Sequence, residues 1–157
     1  MKKPILIISA IILFISCSKD YEIPNPTDLN ISEASFNNSN ILFTIEAIKG
    51  VNLDGINFSF DVSFFAVSQP VALNTKTIKV FANAIMEDGS TREIDGLYNG
   101  ETGFVPLEQD IDNFERKNLT FSISSNLIDG TIKTLETVSI KVTNTDNTST
   151  IATSDIL

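Results

Sequence analysis

The sequence predicts an all-β domain, an antiparallel β-sandwich of about seven strands, with a small β-barrel as the alternative. Three observations carry that expectation. The stretch Ile56-Asn57-Phe58-Ser59-Phe60-Asp61-Val62-Ser63-Phe64 alternates five apolar residues with four polar ones. A period of two puts the apolar set on one face of a strand, whereas a helix would scatter it around the circumference. The same alternation returns in Thr77–Ile85, through Ile78, Val80, Ala82 and Ala84, and in Leu119–Ile123. Turn residues punctuate the chain at intervals of roughly 8–20 residues, the rhythm of a sandwich or barrel. One apolar and one polar face per strand is the pattern of an antiparallel sheet with a single core side.

The elements follow in order. Ile41–Ile48 is β-prone and closes at Gly50, and Ile56–Phe64 comes next. Gln69-Pro70 breaks the chain before Thr77–Ile85. Glu87-Asp88-Gly89-Ser90 reads as a tight turn, since Asp-Gly supplies the positive φ that hairpins need. Thr91–Tyr98 is the return strand, closed by Asn99-Gly100, and Phe104–Leu107 is irregular. Leu107–Phe114 is the single helical candidate, because Leu107, Ile111 and Phe114 fall at i, i+4 and i+7. After Leu119–Ile123, Asp129-Gly130 reads as a second hairpin turn, with Thr131–Val142 returning from it. Asn144–Ser149 is polar and loop-like, and the final IATSDIL reads either as a short edge strand or as a frayed tail. The sandwich expected is immunoglobulin-like in architecture only, because the Cys…Trp…Cys signature of antibody domains is absent.

The amino terminus tells a separate story. Lys2 and Lys3 are followed by thirteen uncharged residues, Pro4 to Ser16. As a helix that run is about 20 Å long, short of the ~30 Å hydrocarbon core of a bilayer. It has the charged head and apolar body of a secretory signal. The run ends Leu13-Phe14-Ile15-Ser16-Cys17, and Cys17 is the single cysteine of the chain. Apolar residues, one small residue and then cysteine resemble the lipobox of bacterial lipoproteins. The resemblance implies a diacylglycerol thioether on Cys17, cleavage between Ser16 and Cys17, and acylation of the new amino terminus. It departs from the family at Phe14, where leucine is usual. A single acyl chain holds a protein to a membrane only weakly, at about 0.8 kcal/mol per buried methylene, and several chains on one residue anchor it firmly. Ser18 stands where aspartate commonly marks inner-membrane retention in Gram-negative lipoproteins, which implies the outer membrane. Ser18-Lys19-Asp20-Tyr21-Glu22 resembles the acidic export signal of surface-displayed lipoproteins, with Tyr21 interrupting the acids; a periplasm-facing anchor is the alternative. The resemblance covers about the first 22 residues.

The expected organisation is a signal peptide over residues 1–16, a lipidated terminus and flexible tether over 17–30, and the β domain over 31–157. The tether carries Pro24 and Pro26 and no apolar pattern, with a reach of at most about 40 Å. Removing the leader takes away two lysines and leaves 9 basic against 20 acidic residues, a net charge of −11. Such a chain repels nucleic acid and anionic lipid heads, so neither is expected as a partner. With Cys17 acylated, no cysteine is left for a disulfide. The chain has no histidine, which excludes Ser-His-Asp and Cys-His catalysis and histidine-based zinc or iron sites. No phosphate loop, dinucleotide fingerprint, G-x-S-x-G or Cys-x-x-Cys occurs. No cofactor or metal is expected, and the reading is a non-enzyme that binds a protein or glycan ligand at the cell surface or serves as an accessory subunit. A carboxylate-based glycan hydrolase is the less favoured alternative. The absence of tryptophan counts against a sugar-stacking platform.

A few residues stand out as candidates beside Cys17. Asp110 and Asp112, with Glu108 and Glu115, form the densest acidic cluster, and hard oxygen ligands of this kind suit calcium. They also suit the first turn of a helix, which is the favoured reading. Asp146, within Asn144-Thr145-Asp146-Asn147, offers a second oxygen-rich loop, built from residues that turns also use. Asp61 lies on the polar face of the strongest strand, where it and Asn57 would line either a binding face or a solvated one. Among the loops at the ends of the sandwich, Val67–Lys76, Glu87–Thr91, Asn99–Asp112 and Asn126–Gly130, Tyr98 beside the Asn-Gly turn is the expected ligand contact.

Overall fold

A computed structural model describes residues 30–37, 39–52, 57–100, 103–104, 106–124 and 130–156. The leader, Cys17 and the tether up to residue 29 lie outside them, as do Ile56, Asn126 and Asp129. Among the described residues the fold is all β: β1 (Ser32–Phe36), β2 (Ser39–Asn52), β3 (Asn57–Ala66), β4 (Val71–Asn74), β5 (Ile78–Met86), β6 (Thr91–Gly100), β7 (Gly103–Phe104), β8 (Glu108–Ile111), β9 (Arg116–Ser124), β10 (Ile132–Thr143) and β11 (Ser149–Asp155). Every strand pair is antiparallel. The six expected strands and the terminal segment all appear as strands, and the terminal segment is the edge strand β11. The four further strands, β1, β4, β7 and β8, are only two to five residues long. In β1, Ser-Glu-Ala-Ser-Phe, the sole fully buried side chain is Ala34.

Eight strands form one path, β1-β2-β3-β9-β6-β5-β10-β11, and β4 pairs with β8 in a separate ribbon. The path folds into two facing layers because β6 changes partner midway. Thr91 to Asp95 pair with Ile85 to Phe81 of β5, and Gly96 to Tyr98 pair with Ile123 to Phe121 of β9. A strand that belongs to both layers is a corner. The opposite side is stitched at Ser35 of β1, whose N–H donates to Asn144 Oδ1 at 2.9 Å. Its carbonyl accepts from the Thr145 N–H at 3.1 Å. The fold therefore combines the two expected architectures, a sandwich whose ends nearly meet as a barrel.

The alternating residues fill the space between the layers. Phe58, Phe60, Val62 and Phe64 of β3 face Val80, Ala82, Ala84, Val138 and Ile140, all buried. Phe60 stacks on Phe121 with ring centres 5.8 Å apart, and Phe43 stacks on Phe64 at 6.2 Å. The pattern in β2 is less regular because the register slips between Ile45 and Ala47. One extra residue, Glu46, stands exposed there, as a β-bulge requires.

Two expectations are corrected. Leu107–Phe114 is not a helix: Glu108–Ile111 is strand β8, paired with β4. Leu107 and Ile111 are both buried, but a spacing of four satisfies a period of two as well as a helical turn. The deciding position is Gln109, half-buried on the same side, whose polarity hid the alternation. Phe114, with φ +57, then ends the extended run. The second correction concerns Asp129-Gly130. Gly130 has φ +116, as a turn glycine does, but β9 and β10 are not neighbours. Both edges of β9 are taken, by β3 and β6, so β10 crosses to the other layer and pairs with β5 and β11.

The other Asp-Gly turn forms as expected. Gly89 sits at φ +80, and the Met86 N–H donates to the Ser90 carbonyl at 2.8 Å. Asp88 Oδ1 accepts from the Ser90 N–H at 2.8 Å and from its hydroxyl at 2.6 Å.

Candidate functional site

The loops Val67–Lys76 and Asn99–Asp112, far apart in sequence, supply β4 and β8 and so meet in the ribbon. Val71, Leu73 and Ile111 are buried beneath it, which docks the ribbon on the end of the sandwich beside the β6 corner. The corner leaves a gap. Past Asp95 no residue of β5 pairs with β6, so Ile78–Val80 and Gly96–Tyr98 diverge. A cleft of about 700 Å³ opens between them and is flanked by Pro106 and Leu107 before the ribbon. That is the size range of small-molecule sites.

The floor of the cleft is apolar, with Val80, Leu107 and Phe121 buried there. Tyr98, the expected contact residue, is half-buried in its wall. Its ring meets Phe121 edge-on at 5.9 Å, a favoured geometry for an aromatic pair. Its hydroxyl accepts from Gln109 Nε2 at 3.3 Å. Tyr98 is thus both packing and cleft surface. Leu97 is 46% exposed beside it.

The mouth is charged. Lys79 Nζ lies 2.9 Å from Asp95 Oδ1 and also pairs with Glu93. The Glu93 carboxylate, then that of Asp95, raises the Lys79 pKa. Its ammonium also lies over the Phe81 ring at 5.5 Å, a cation–π contact on the outer face.

Gly96 is the residue that sequence reading missed. A Cβ there would stand 2.6 Å from Ile123 Cδ1, 2.7 Å from Val80 Cγ2 and 3.1 Å from the Ser122 carbonyl. Only glycine lets β6 pass so close to β5 and β9 as it turns the corner. Its signal was visible: Asp95-Gly96 interrupts a strand pattern where no turn follows, and an isolated glycine in a strand marks a close approach. Thr75, Pro106 and Leu107 carried no comparable signal, because only the tertiary fold brings them to the cleft.

The acidic candidates lie elsewhere. Glu108 and Asp110 are exposed on the outer side of β8, and Asp112 is exposed beyond it. Glu115 Oε2 accepts from the Asp112 N–H at 3.1 Å. Asp146 caps its own turn. Its Oδ1 accepts from the Thr148 hydroxyl at 2.6 Å and the Thr148 N–H at 2.9 Å, and these bonds hold its pKa below the ordinary carboxylate value. Among the described residues no three acids, cysteines or histidines come together as a metal-binding group. No buried side-chain nitrogen or oxygen among them lacks a partner.

Asp61 stands on the outer face of β3, tied to Lys49 and to the Thr120 hydroxyl at 2.8 Å. The hydrogen bond from Lys49 lowers its pKa most, and that from Thr120 adds to it. A carboxyl depressed in the folded state stabilises the fold above its unfolded pKa near 4 and loses that contribution as pH falls through the folded value. Asp61→Asn is therefore expected to flatten the acid limb of a stability–pH curve below about pH 4, while costing at most about 1 kcal/mol at pH 7. Urea melts between pH 2 and 7 measure this. An unchanged acid limb would show that the pair does not form in solution. Asp88, lowered by its bond from the Ser90 hydroxyl, and Asp146 titrate in the same window, so the change is partial.

Comparison with family models, curated proteins and solved structures gives no match to this chain. Among the described residues no helix is long and apolar enough to cross a membrane.

Proposed function

We propose that this chain is an outer-membrane lipoprotein displayed at the cell surface. Residues 1–16 direct export and are removed, Cys17 carries the lipid, and the β domain acts as a non-catalytic binding module on a short tether. The observation that carries this reading is the Leu13-Phe14-Ile15-Ser16-Cys17 box after an apolar run too short to span a bilayer. Two features support it. The mature chain keeps no cysteine beyond Cys17, so its thiol is free for acylation. The domain buries its apolar strand faces by itself, so it stands as a unit at the end of a tether. The cleft at the β6 corner, apolar within and charged at its mouth, has the build of a binding site rather than of acid–base machinery.

The test is metabolic labelling with an alkyne fatty acid, followed by protease shaving of intact cells that carry a C-terminal tag. Wild type is expected to take up label, to fractionate with the outer membrane and to lose its tag to protease. Cys17→Ala is expected to take up no label. A labelled, membrane-bound Cys17→Ala protein would sink the lipobox assignment. A tag protected until the outer membrane is opened would move the domain to the periplasmic face.

A further inference from the structure

We infer that the cleft at the β6 corner binds a small hydrophobic cation, an aryl or alkyl amine whose apolar body lies on Val80 and Phe121 and whose ammonium sits at Asp95. The inference rests on the reading of the domain as a binding module and is independent of the lipid anchor. Three observations select this chemistry. The interior is apolar and about 700 Å³ in volume, which favours an apolar body of modest size. Lys79 and Asp95 line the mouth, and Glu93, outside the lining, pairs with the same Lys79, so the group carries two carboxylates against one ammonium. Asp95 lines the cleft with its side chain 68% exposed, so a ligand cation reaches it while Glu93 retains Lys79.

An anion is disfavoured on the same grounds. Lys79, the sole cation lining the cleft among the described residues, is already paired twice. The surrounding chain is strongly acidic, which adds a field favourable to cations. Within the cleft, the half-buried Tyr98 ring, with Phe121 beneath it, offers an aromatic surface suited to an aromatic amine. The Tyr98 hydroxyl is held by Gln109, which keeps that ring in place.

Three matched probes test the inference: 1-naphthylmethylammonium, the neutral 1-naphthylmethanol and the anionic 1-naphthoate. Each is titrated calorimetrically into the full-length protein in zwitterionic phosphatidylcholine nanodiscs, with empty discs subtracted. The amine is expected to bind about threefold tighter than the alcohol at low salt, the advantage of one exposed ion pair, and the naphthoate weakest. Half-molar sodium chloride is expected to erase the difference. Asp95→Asn is expected to bring amine and alcohol to parity. Thr75→Trp, at an exposed position on the cleft, is expected to abolish binding of all three while leaving the melting temperature unchanged. Should that variant fold poorly, Leu97→Trp blocks the same cleft. Equal binding of amine and alcohol by wild type would overturn the cation assignment. Binding that survives a folded Thr75→Trp or Leu97→Trp would overturn the location. No binding of any probe would overturn the small-molecule cleft, and the labelling and shaving results would stand unaffected.

Discussion

Gly96→Ala is expected to lower stability by about 2 kcal/mol, and Gly96→Val by more. The new methyl of alanine would meet Ile123 Cδ1 at 2.6 Å and Val80 Cγ2 at 2.7 Å, both inside van der Waals contact. The end of an isoleucine side chain can swing aside at small cost. Val80 cannot do so as readily, because a β-branched side chain has few χ1 choices and this one is buried in the core. The third neighbour, the Ser122 carbonyl, is backbone held in the β3–β9–β6 ladder. Alanine regains roughly 0.5–1 kcal/mol by restricting the unfolded chain, which offsets part of the overlap and does not reverse it. Thermal melts would show a drop of roughly 5–10 °C for a domain of this size. The double variant Gly96→Ala/Val80→Ala separates overlap from other causes. Removing the Val80 methyls makes room, so the two changes should cost at least about 1 kcal/mol less together than their separate costs added. Strict additivity, or a Gly96→Ala protein as stable as wild type, would mean that β6 does not turn between β5 and β9 at this point. Because the cleft is the gap left by that turn, its shape depends on the same residue.

How far this arrangement could be read from the sequence depends on how local each signal is. The alternation in Ile56–Phe64 is local: each apolar side chain reports its own burial, and β3 follows directly. The same holds for β5, β9 and the hairpin at Asp88-Gly89, where the glycine's backbone freedom is needed within four residues. Strand identity was lost where burial is slight or disguised. Ala34 is too small to mark β1, and the polar Gln109 between Leu107 and Ile111 made a strand look helical. Pairing was lost where it depends on competition between distant strands. Gly130 was recognised as a turn glycine, but nothing near it reveals that β9 already has both edges occupied. The candidate site is legible to the same degree. Tyr98 stood out as an aromatic beside a turn. Its cleft did not, because Thr75, Val80, Pro106 and Phe121 approach one another only after β6 has changed partner. The acids Asp110 and Asp146 stood out by density, and the fold turns one outward on an edge strand and spends the other on its own turn.

Phe60→Ala is expected to cost about 3–5 kcal/mol, the loss of a large side chain from a closed core. Phe60 is 0% exposed and sits midway along β3, between β2 and β9. Its ring touches Phe58 at 6.5 Å between centres and stacks on Phe121 at 5.8 Å. Truncation removes the transfer free energy of the ring and leaves a cavity walled by two ladders, which are too constrained to collapse into it. A domain of ordinary stability has only about 5–15 kcal/mol in all. No disulfide can make up the loss, since the chain's one cysteine precedes the domain. Urea denaturation should therefore show a much lower midpoint with an unchanged slope. Ser59→Ala, one residue away on the outer face, should move the midpoint by no more than about 0.5 kcal/mol. The contrast between neighbours is the informative part, because composition and chain position are nearly identical and only the facing differs. If the two substitutions cost the same, β3 does not present Phe60 to the core. Phe121→Ala adds a second constraint. The stacked pair is coupled by about 0.5–1.5 kcal/mol beyond area burial, so the double variant should be more stable than the two separate costs predict. Phe121 also forms the floor of the cleft, so its loss is expected to weaken the binding of naphthyl probes. Phe60→Ala, held below its melting temperature, is expected to weaken that binding less than Phe121→Ala does, because Phe60 does not line the cleft and acts on it only through the Phe121 ring.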